Sequence, residues 1–195
     1  IRIEGVSRLH GAAYRIIPDR VEAGTFLMAV AMVGGEVTVR GAVPDHLGAV
    51  MEKLIEAHVK IDSLDGSLRV RSDRRLMAVD VTTLPFPGFP TDLQAQITAM
   101  MAVSRGASLL TEKIYPERFM HVAELSRMGA QITREGASAV VKGVERLSGA
   151  PVVASDLRGA AALVLAGLAA ENHTEIRGIE HLDRGYEQFE EKLKR

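Results

Sequence analysis

Ile97-Thr98-Ala99-Met100-Met101-Ala102-Val103 carries no charge and, apart from one threonine, no polar side chain. As a helix it keeps no face for water, so it must be buried on every side. Phe26-Leu27-Met28-Ala29-Val30-Ala31 and Ala160-Ala161-Ala162-Leu163-Val164-Leu165-Ala166 read the same way. Three other helices are amphipathic, with apolar groups on one face: Leu47, Val50, Met51, Leu54 and Ile55; Val122, Leu125 and Met128; Tyr186, Phe189 and Leu193. That spacing sets one face against a sheet and the other in water. Three wholly buried helices and three half-buried ones do not fit an ordinary doubly wound sheet. They fit a pseudo-threefold arrangement with helices at the centre and sheets around them. The Met and Leu stripes are then core, not cofactor contacts.

The first of these helices is entered through Phe86-Pro87-Gly88-Phe89-Pro90-Thr91-Asp92-Leu93-Gln94-Ala95-Gln96, which joins a strand at 76–82 to a helix at 93–103. Pro85, Pro87 and Pro90 fix φ and remove donors, so the loop is stiff. It delivers one carboxylate, Asp92, to the first turn of an apolar helix. A rigid arm holding one acid at a helix mouth suits a general base or a ligand anchor. Thr91 or Asp92 acting simply as the helix cap is the competing account.

Outward from this loop the chain repeats itself. Gly5-Val6-Ser7-Arg8-Leu9-His10-Gly11-Ala12 returns as Gly143-Val144-Glu145-Arg146-Leu147-Ser148-Gly149-Ala150, with a weaker echo at Arg75-Leu76-Met77-Ala78. Spacings of this size mark a supersecondary unit used three times. The units fall at about 1–72, 73–143 and 144–195, within one domain covering 1–195. The first predicts strand 14–17, helix 20–33, strand 36–40, helix 44–57 and strands 59–62 and 68–71, with a turn at Asp65-Gly66. The second predicts strand 76–82, helix 93–103, strand 108–113, helix 117–128 and strands 130–133 and 139–142. The third predicts strand 151–154, a helix ending at 170, strand 174–177 and a helix from Asp183 onward. The order βαβαββ thus occurs twice complete and once truncated.

The bulk numbers narrow the chemistry. Net charge is −1, from 24 basic and 25 acidic residues, which gives no long-range field for nucleic acid or an anionic membrane. Any anion site must therefore be local. There is no cysteine, so the chain itself holds neither a disulfide nor a thiolate metal site. The longest apolar run, 159–170, is too short to span a bilayer. No signal peptide is visible and Ile1 is not a start methionine, so a longer polypeptide is expected. His10, His46, His58, His121, His173 and His181 lack metal-ligand spacing and read as surface or core-edge residues. No metal or cofactor is expected. Ser104, Ser108, Ser126 and Ser155 lack a nucleophile-elbow context, and Gly34-Gly35 reads as a helix stop, not a phosphate loop.

All six predicted helices open with an acid: Asp19, Asp45, Asp92, Glu117, Asp156 and Asp183. The macrodipole favours this, so the acids alone say little. Arg20, Arg118, Arg158 and Arg184 say more, because an arginine in a first turn opposes the dipole and calls for a partner. Converging beside free helix N–H groups, they would build a site for phosphate or carboxylate. Local Asp–Arg pairs at the rim are the plainer alternative.

The repeat, the FPTDLQAQ loop at 89–96, Arg118-Phe119-Met120-His121-Val122-Ala123-Glu124-Leu125, Ser155-Asp156-Leu157-Arg158 and His181-Leu182-Asp183-Arg184-Gly185-Tyr186 carry a resemblance over the whole chain. So do Ile3-Glu4-Gly5-Val6, Pro18-Asp19-Arg20 and Gly24-Thr25-Phe26-Leu27. The chain resembles the second half of the enolpyruvyl transferases that open bacterial peptidoglycan synthesis. The resemblance implies an inside-out α/β barrel domain, closing with a partner domain over the substrates in a cytoplasmic enzyme. It implies transfer of enolpyruvate from phosphoenolpyruvate to the 3′-hydroxyl of UDP-N-acetylglucosamine, with release of phosphate. By the same likeness Asp92 contacts the sugar hydroxyl and is the general base, and Ile114 contacts the sugar nucleotide through its backbone. Arg118, Arg158 and Arg184 line the cleft, Arg184 closing on phosphoenolpyruvate, and Asp156 lies beside them. The family's cysteine, a lysine and further arginines belong to an N-terminal domain that this chain lacks, so the isolated chain is expected to turn nothing over. The shikimate-pathway enolpyruvyl transferase shares the fold and is the rival enzyme. A non-catalytic ligand-binding domain of the same fold is the rival of another class.

Overall fold

The computed structural model describes residues 2–74 and 76–194. The first repeat contributes α1 (Arg20–Val33), β1 (Gly35–Arg40), α2 (Gly48–Glu56), β2 (Lys60–Leu64) and β3 (Ser67–Ser72). The second gives β4 (Val81–Thr82), α3 (Gln94–Met101), β5 (Ala107–Thr111), α4 (His121–Arg127), β6 (Gln131–Glu135) and β7 (Ser138–Lys142). The third gives β8 (Pro151–Val153), α5 (Leu157–Ala169), β9 (Glu175–Arg177), α6 (Glu180–Asp183) and α7 (Phe189–Leu193).

The three apolar helices α1, α3 and α5 pack against one another at the centre, as their sequences demand. Every residue of α3 is buried, Gln94, Gln96 and Thr98 included. Around this bundle lie three sheets, ordered β1-β3-β2, β4-β5-β7-β6 and β8-β9. The logic repeats: the first strand of a unit pairs parallel with the second (β4 with β5, β8 with β9), and the second pairs antiparallel with the last (β1 with β3, β5 with β7). Asp19 caps α1 by accepting from the Val21 and Glu22 amides, and Asp156 caps α5 through the Arg158 and Gly159 amides. Gly34 at φ 86° stops α1.

A polar knot closes one end of the bundle. Tyr186 Oη lies 2.9 Å from Thr25 Oγ1, and Gln96 Nε2 donates to both at 3.2 Å. Thr25 gives its own proton to the Val21 carbonyl at 2.9 Å, so the tyrosine hydroxyl donates to the threonine oxygen. One residue from each repeat is thereby fixed against the other two.

The structure departs from the sequence expectation in several places, and the helix expected at 117–128 is one of them: it forms only over His121–Arg127, so Glu117 and Arg118 lie in the loop before it. The strand expected at 14–17 is not formed: residues 2–19 are irregular, and Tyr14, Ile16 and Ile17 are exposed. Among the described residues no strand pairs on the outer edge of β1, and of its side chains only Val39 is partly buried. The strand expected at 76–82 shrinks to two residues, because the Asp80 carboxylate takes the Leu109 amide at 2.7 Å where a ladder bond would run. The last helix does not begin at Asp183. That residue ends α6, and Gln188 at φ 48° precedes α7, while Tyr186 turns inward to the knot. His121, expected at the surface or core edge, is buried.

The repeated Gly-x-x-Arg-Leu-x-Gly segment is structurally unequal. Leu76 and Leu147 are core, whereas Leu9 is 85% exposed; Arg75 lies outside the described residues. A Cβ on Gly143 would overlap the Ser104 carbonyl, and one on Gly149 the His173 carbonyl, while Gly5 and Gly11 meet nothing within 4 Å. Gly143→Ala and Gly149→Ala are each expected to cost about 3 kcal/mol or more, and Gly5→Ala under about 0.5 kcal/mol. Urea titration of the variants checks this, and equal costs at 5 and 143 would contradict it.

Candidate functional site

The rigid loop delivers Asp92 into a short 3-10 turn, Thr91–Leu93, at the entrance to α3. Neither Thr91 nor Asp92 caps a helix through its side chain, so the capping account of this acid is corrected. The carboxylate faces two arginines instead. Arg118 Nη1 donates to Asp92 Oδ1 at 2.7 Å, and Arg158 Nη2 stands 3.5 Å from Oδ2. Arg118 comes from the loop between β5 and α4, where a Tyr115–Arg118 turn (Arg118 N to Tyr115 O, 2.9 Å) holds it. Arg158 is the second residue of α5, beside the capping Asp156. The mouths of α3 and α5 thus share one carboxylate between two guanidinium groups.

Both arginine side chains are largely buried and the Asp92 side chain is 40% exposed. Burial pushes the Asp92 carboxyl up, but the Arg118 hydrogen bond and the Arg158 and Arg118 charges outweigh it and hold the group below its ordinary value. Two guanidinium groups converge on this one carboxylate, while the neighbouring Asp156 and Glu112 carboxylates are taken up by backbone amides and threonine hydroxyls. Arg20, at the start of α1, adds to that end, with its guanidinium 4.9 Å from the centroid of Phe86 in the loop. Arg184 lies near the start of α5, because its neighbour Gly185 abuts Leu157. It is exposed, and its side chain makes no hydrogen bond or ion pair among the described residues. Ile114 is partly exposed, and its N–H is already committed to Glu112 Oε1 at 2.8 Å, so its carbonyl is the backbone group left to offer.

Glu112 escaped the sequence reading. It is 1% exposed and accepts from Thr83 Oγ1 (2.6 Å), Thr91 Oγ1 (3.0 Å) and the Ile114 and Tyr115 amides (2.8 and 2.9 Å). The signal was register. Ser108 and Leu110 face inward along β5, and period two carries Glu112 to the same side just past the strand.

A cavity of about 520 Å³ lies at the other end of the bundle, lined by Met32, Val103, Arg146, Leu168 and Glu171, and contains none of these site residues. The last turns of α1 and α5 and Val103, just past the end of α3, reach it, so the helices run parallel and their starts share the opposite end. Among the described residues no group of three or more histidine or acidic side chains is placed to hold a metal ion. No helix is long and apolar enough to cross a membrane.

This architecture is that of the enolpyruvyl transferases. NikO from Streptomyces tendae, described as an enolpyruvyl transferase, superposes with a TM-score of 0.83 at 26% identity, over 91% of this chain and 42% of NikO. EPSP synthase from Acinetobacter baumannii shares the fold at TM-score 0.65 and 17% identity, over 84% of this chain and 40% of that one. The family model for EPSP synthase (3-phosphoshikimate 1-carboxyvinyltransferase) matches residues 1–193, and the chain belongs to that family. Among curated relatives, UDP-N-acetylglucosamine 1-carboxyvinyltransferase of Trichlorobacter lovleyi is 57% identical over 99% of this chain and 46% of its own length. UDP-N-acetylglucosamine 1-carboxyvinyltransferase 1 of Caldanaerobacter subterraneus subsp. tengcongensis is 56% identical over 100% of this chain and 47% of its length. The chain therefore spans about half the length of these relatives.

His121, at the start of α4, gives the site end a measurable pH signature. Burial lowers its pKa from 6.5 to about 4, with Asp156 pulling it up and Arg118 pushing it down, and its Nε2 has no partner among the described residues. The folded state keeps the ring neutral while the unfolded chain takes a proton below pH 6.5. Stability present above pH 6.5 is therefore lost as pH falls toward about 4, by up to about 3 kcal/mol. His121→Phe, whose ring can still stack on Phe119, is expected to flatten the fall of Tm over that window. Parallel Tm–pH profiles for the two proteins would contradict it.

Proposed function

We propose that this chain is the substrate-closing half of a UDP-N-acetylglucosamine 1-carboxyvinyltransferase, acting in the cytoplasm at the committed step of peptidoglycan synthesis. The observation that carries the reading is the single carboxylate shared by two arginines at the mouths of two parallel buried helices. The names of relatives more than 50% identical over the whole chain support the choice of substrate. The substrates are phosphoenolpyruvate and UDP-N-acetylglucosamine, and a second lobe of the full-length protein supplies the cysteine, lysine and further arginines.

In the ligand-free site Asp92 is a poor base, because the arginines stabilise its charge. Anionic substrate changes this balance. Arg158 and Arg184 turn to the phosphate and carboxylate of phosphoenolpyruvate, whose oxygens match the guanidinium fork, while Arg118 lines the cleft and stays on Thr91 and Asp92. Asp92 then keeps its burial and loses part of its compensation, so its proton affinity rises as the sugar hydroxyl arrives. It accepts the 3′-hydroxyl proton while the sugar oxygen bonds to C2 of phosphoenolpyruvate. In that addition C3 takes a proton from a general acid of the second lobe. In the elimination that follows C3 gives a proton up as the C2–O bond to phosphate breaks, the C2–C3 double bond re-forms and phosphate leaves. Ile114 offers its carbonyl to the sugar nucleotide, and Asp156 orients the start of α5.

The description of the matching family model favours a second reading, in which the acceptor is shikimate 3-phosphate. The full-length gene product should release phosphate with phosphoenolpyruvate and UDP-N-acetylglucosamine, and not with shikimate 3-phosphate in its place. The 195-residue chain alone should release none. Release with shikimate 3-phosphate only would overturn the proposal. In the full-length product Asp92→Ala should lower kcat by about a hundredfold or more without lowering Tm. Arg184→Ala should raise the KM for phosphoenolpyruvate or cut kcat, and unchanged kinetics would leave Arg184 a rim residue.

A further inference from the structure

Glu112 spends four hydrogen bonds on residues of three separate segments, and none of them lies in the strand ladder. Thr83 ends the β4 segment, Thr91 belongs to the loop that carries Asp92, and Ile114 and Tyr115 belong to the loop that carries Arg118. Such a side chain does more than fill the core. A buried carboxylate is costly unless donors surround it, and an apolar residue of similar size would fill the same space. What the carboxylate alone provides is a fixed direction of hydrogen bonding.

That direction runs straight into the site. Glu112 can only accept, so Thr91 must give it its single proton. The Thr91 oxygen is then purely an acceptor, and Arg118 Nη1 donates to it at 3.1 Å. The second proton of that same Nη1 goes to Asp92 Oδ1 at 2.7 Å. The Arg118 guanidinium carbon also lies 5.5 Å from the centroid of Tyr115, whose amide Glu112 holds. Both supports of Arg118 therefore trace back to one carboxylate it never touches.

We infer that Glu112 is a positioning residue of this site, setting through Thr91 and Tyr115 the orientation in which Arg118 meets Asp92. The inference rests on the proposed function for its catalytic consequence, but its structural core stands apart. Replacing Glu112 with glutamine keeps size and packing and reverses one bond. The glutamine oxygen still serves Thr83 and the two amides, while its Nε2 now donates to Thr91. Thr91 must then turn its own proton elsewhere, and Arg118 meets a hydroxyl that no longer stands as a dedicated acceptor.

The test uses the full-length gene product with Glu112→Gln, Thr91→Val, Thr91→Ser and the Glu112→Gln/Thr91→Val double variant, each checked for folding by circular dichroism. The first readout is kcat/KM for UDP-N-acetylglucosamine from phosphate release. Glu112→Gln and Thr91→Val should each fall roughly tenfold, Thr91→Ser should stay near wild type, and the double variant should be no worse than Thr91→Val alone. Losses that multiply in the double variant would overturn the relay, as would normal activity in Thr91→Val. The second readout needs no activity: the Arg118 side-chain NH signals by nitrogen NMR. They should be slowly exchanging in wild type and Thr91→Ser, and broadened in Glu112→Gln and Thr91→Val. Identical Arg118 signals in all variants would refute the inference. If Glu112→Gln does not fold, the two Thr91 variants decide it by the same signals. A wild-type protein inert toward both substrates would sink the functional reading while the NMR result still judged Glu112.

Discussion

The structure depends on one constraint: three helices with no face for water must share a single interior. Burying an aliphatic side chain is worth about 2 kcal/mol, and apolar side chains make up most of α1, α3 and α5. No sheet offers enough surface to cover such helices singly. They cover one another, and the sheets wrap the outside. β4 leads into α3 and β8 into α5 from the same side, α1 packs alongside them, and the helices run parallel with their starts gathered at one end. The site is a consequence of that gathering. Asp92 and Arg118 come from the second repeat and Arg158 from the third, and only the parallel bundle makes them neighbours.

Electrostatics then give the gathered groups their character. The chain has almost no net charge, yet one carboxylate at this end answers to two guanidinium groups, with Arg20 and Arg184 close to the same helix starts. The two acids that do cap, Asp19 and Asp156, spend themselves on backbone amides. Asp92 is held off its own helix by the proline-stiffened loop, so its charge is available to side chains. The difference between a cap and a functional carboxylate here is one of delivery: Asp92 arrives in a 3-10 turn before the helix proper begins.

Much of this was readable in the residues, and what was not has physical reasons. The all-apolar stretches and the 3.6-residue stripes announced the central and outer helices, and α1 falls at 20–33 as its apolar run and flanking Asp19 and Gly34 require. The strand expected at 14–17 does not form, and Tyr14, Ile16 and Ile17 stay exposed beside the open edge of β1. Arg184 looked like a first-turn residue because Asp183 resembles a cap. The glycine and inward tyrosine that follow break the helix there instead. His121 and Glu112 were the hardest to see, since each is a polar residue whose burial is decided by distant segments. Register along β5 was the available signal for Glu112. For His121 the signal was helical period: it stands four residues before Leu125 and seven before Met128, on the face that both bury.

The claim beneath all of this is that the shared starts of α3 and α5, not the cavity at their far end, form the anion-binding face. Amide chemical-shift mapping of the full-length gene product during titration with UDP-N-acetylglucosamine and phosphate tests it most directly. The account predicts that the shifts within these 195 residues cluster at 91–94, 112–118 and 156–159. A cluster around Met32, Val103, Leu168 and Glu171, with the helix starts silent, would contradict it.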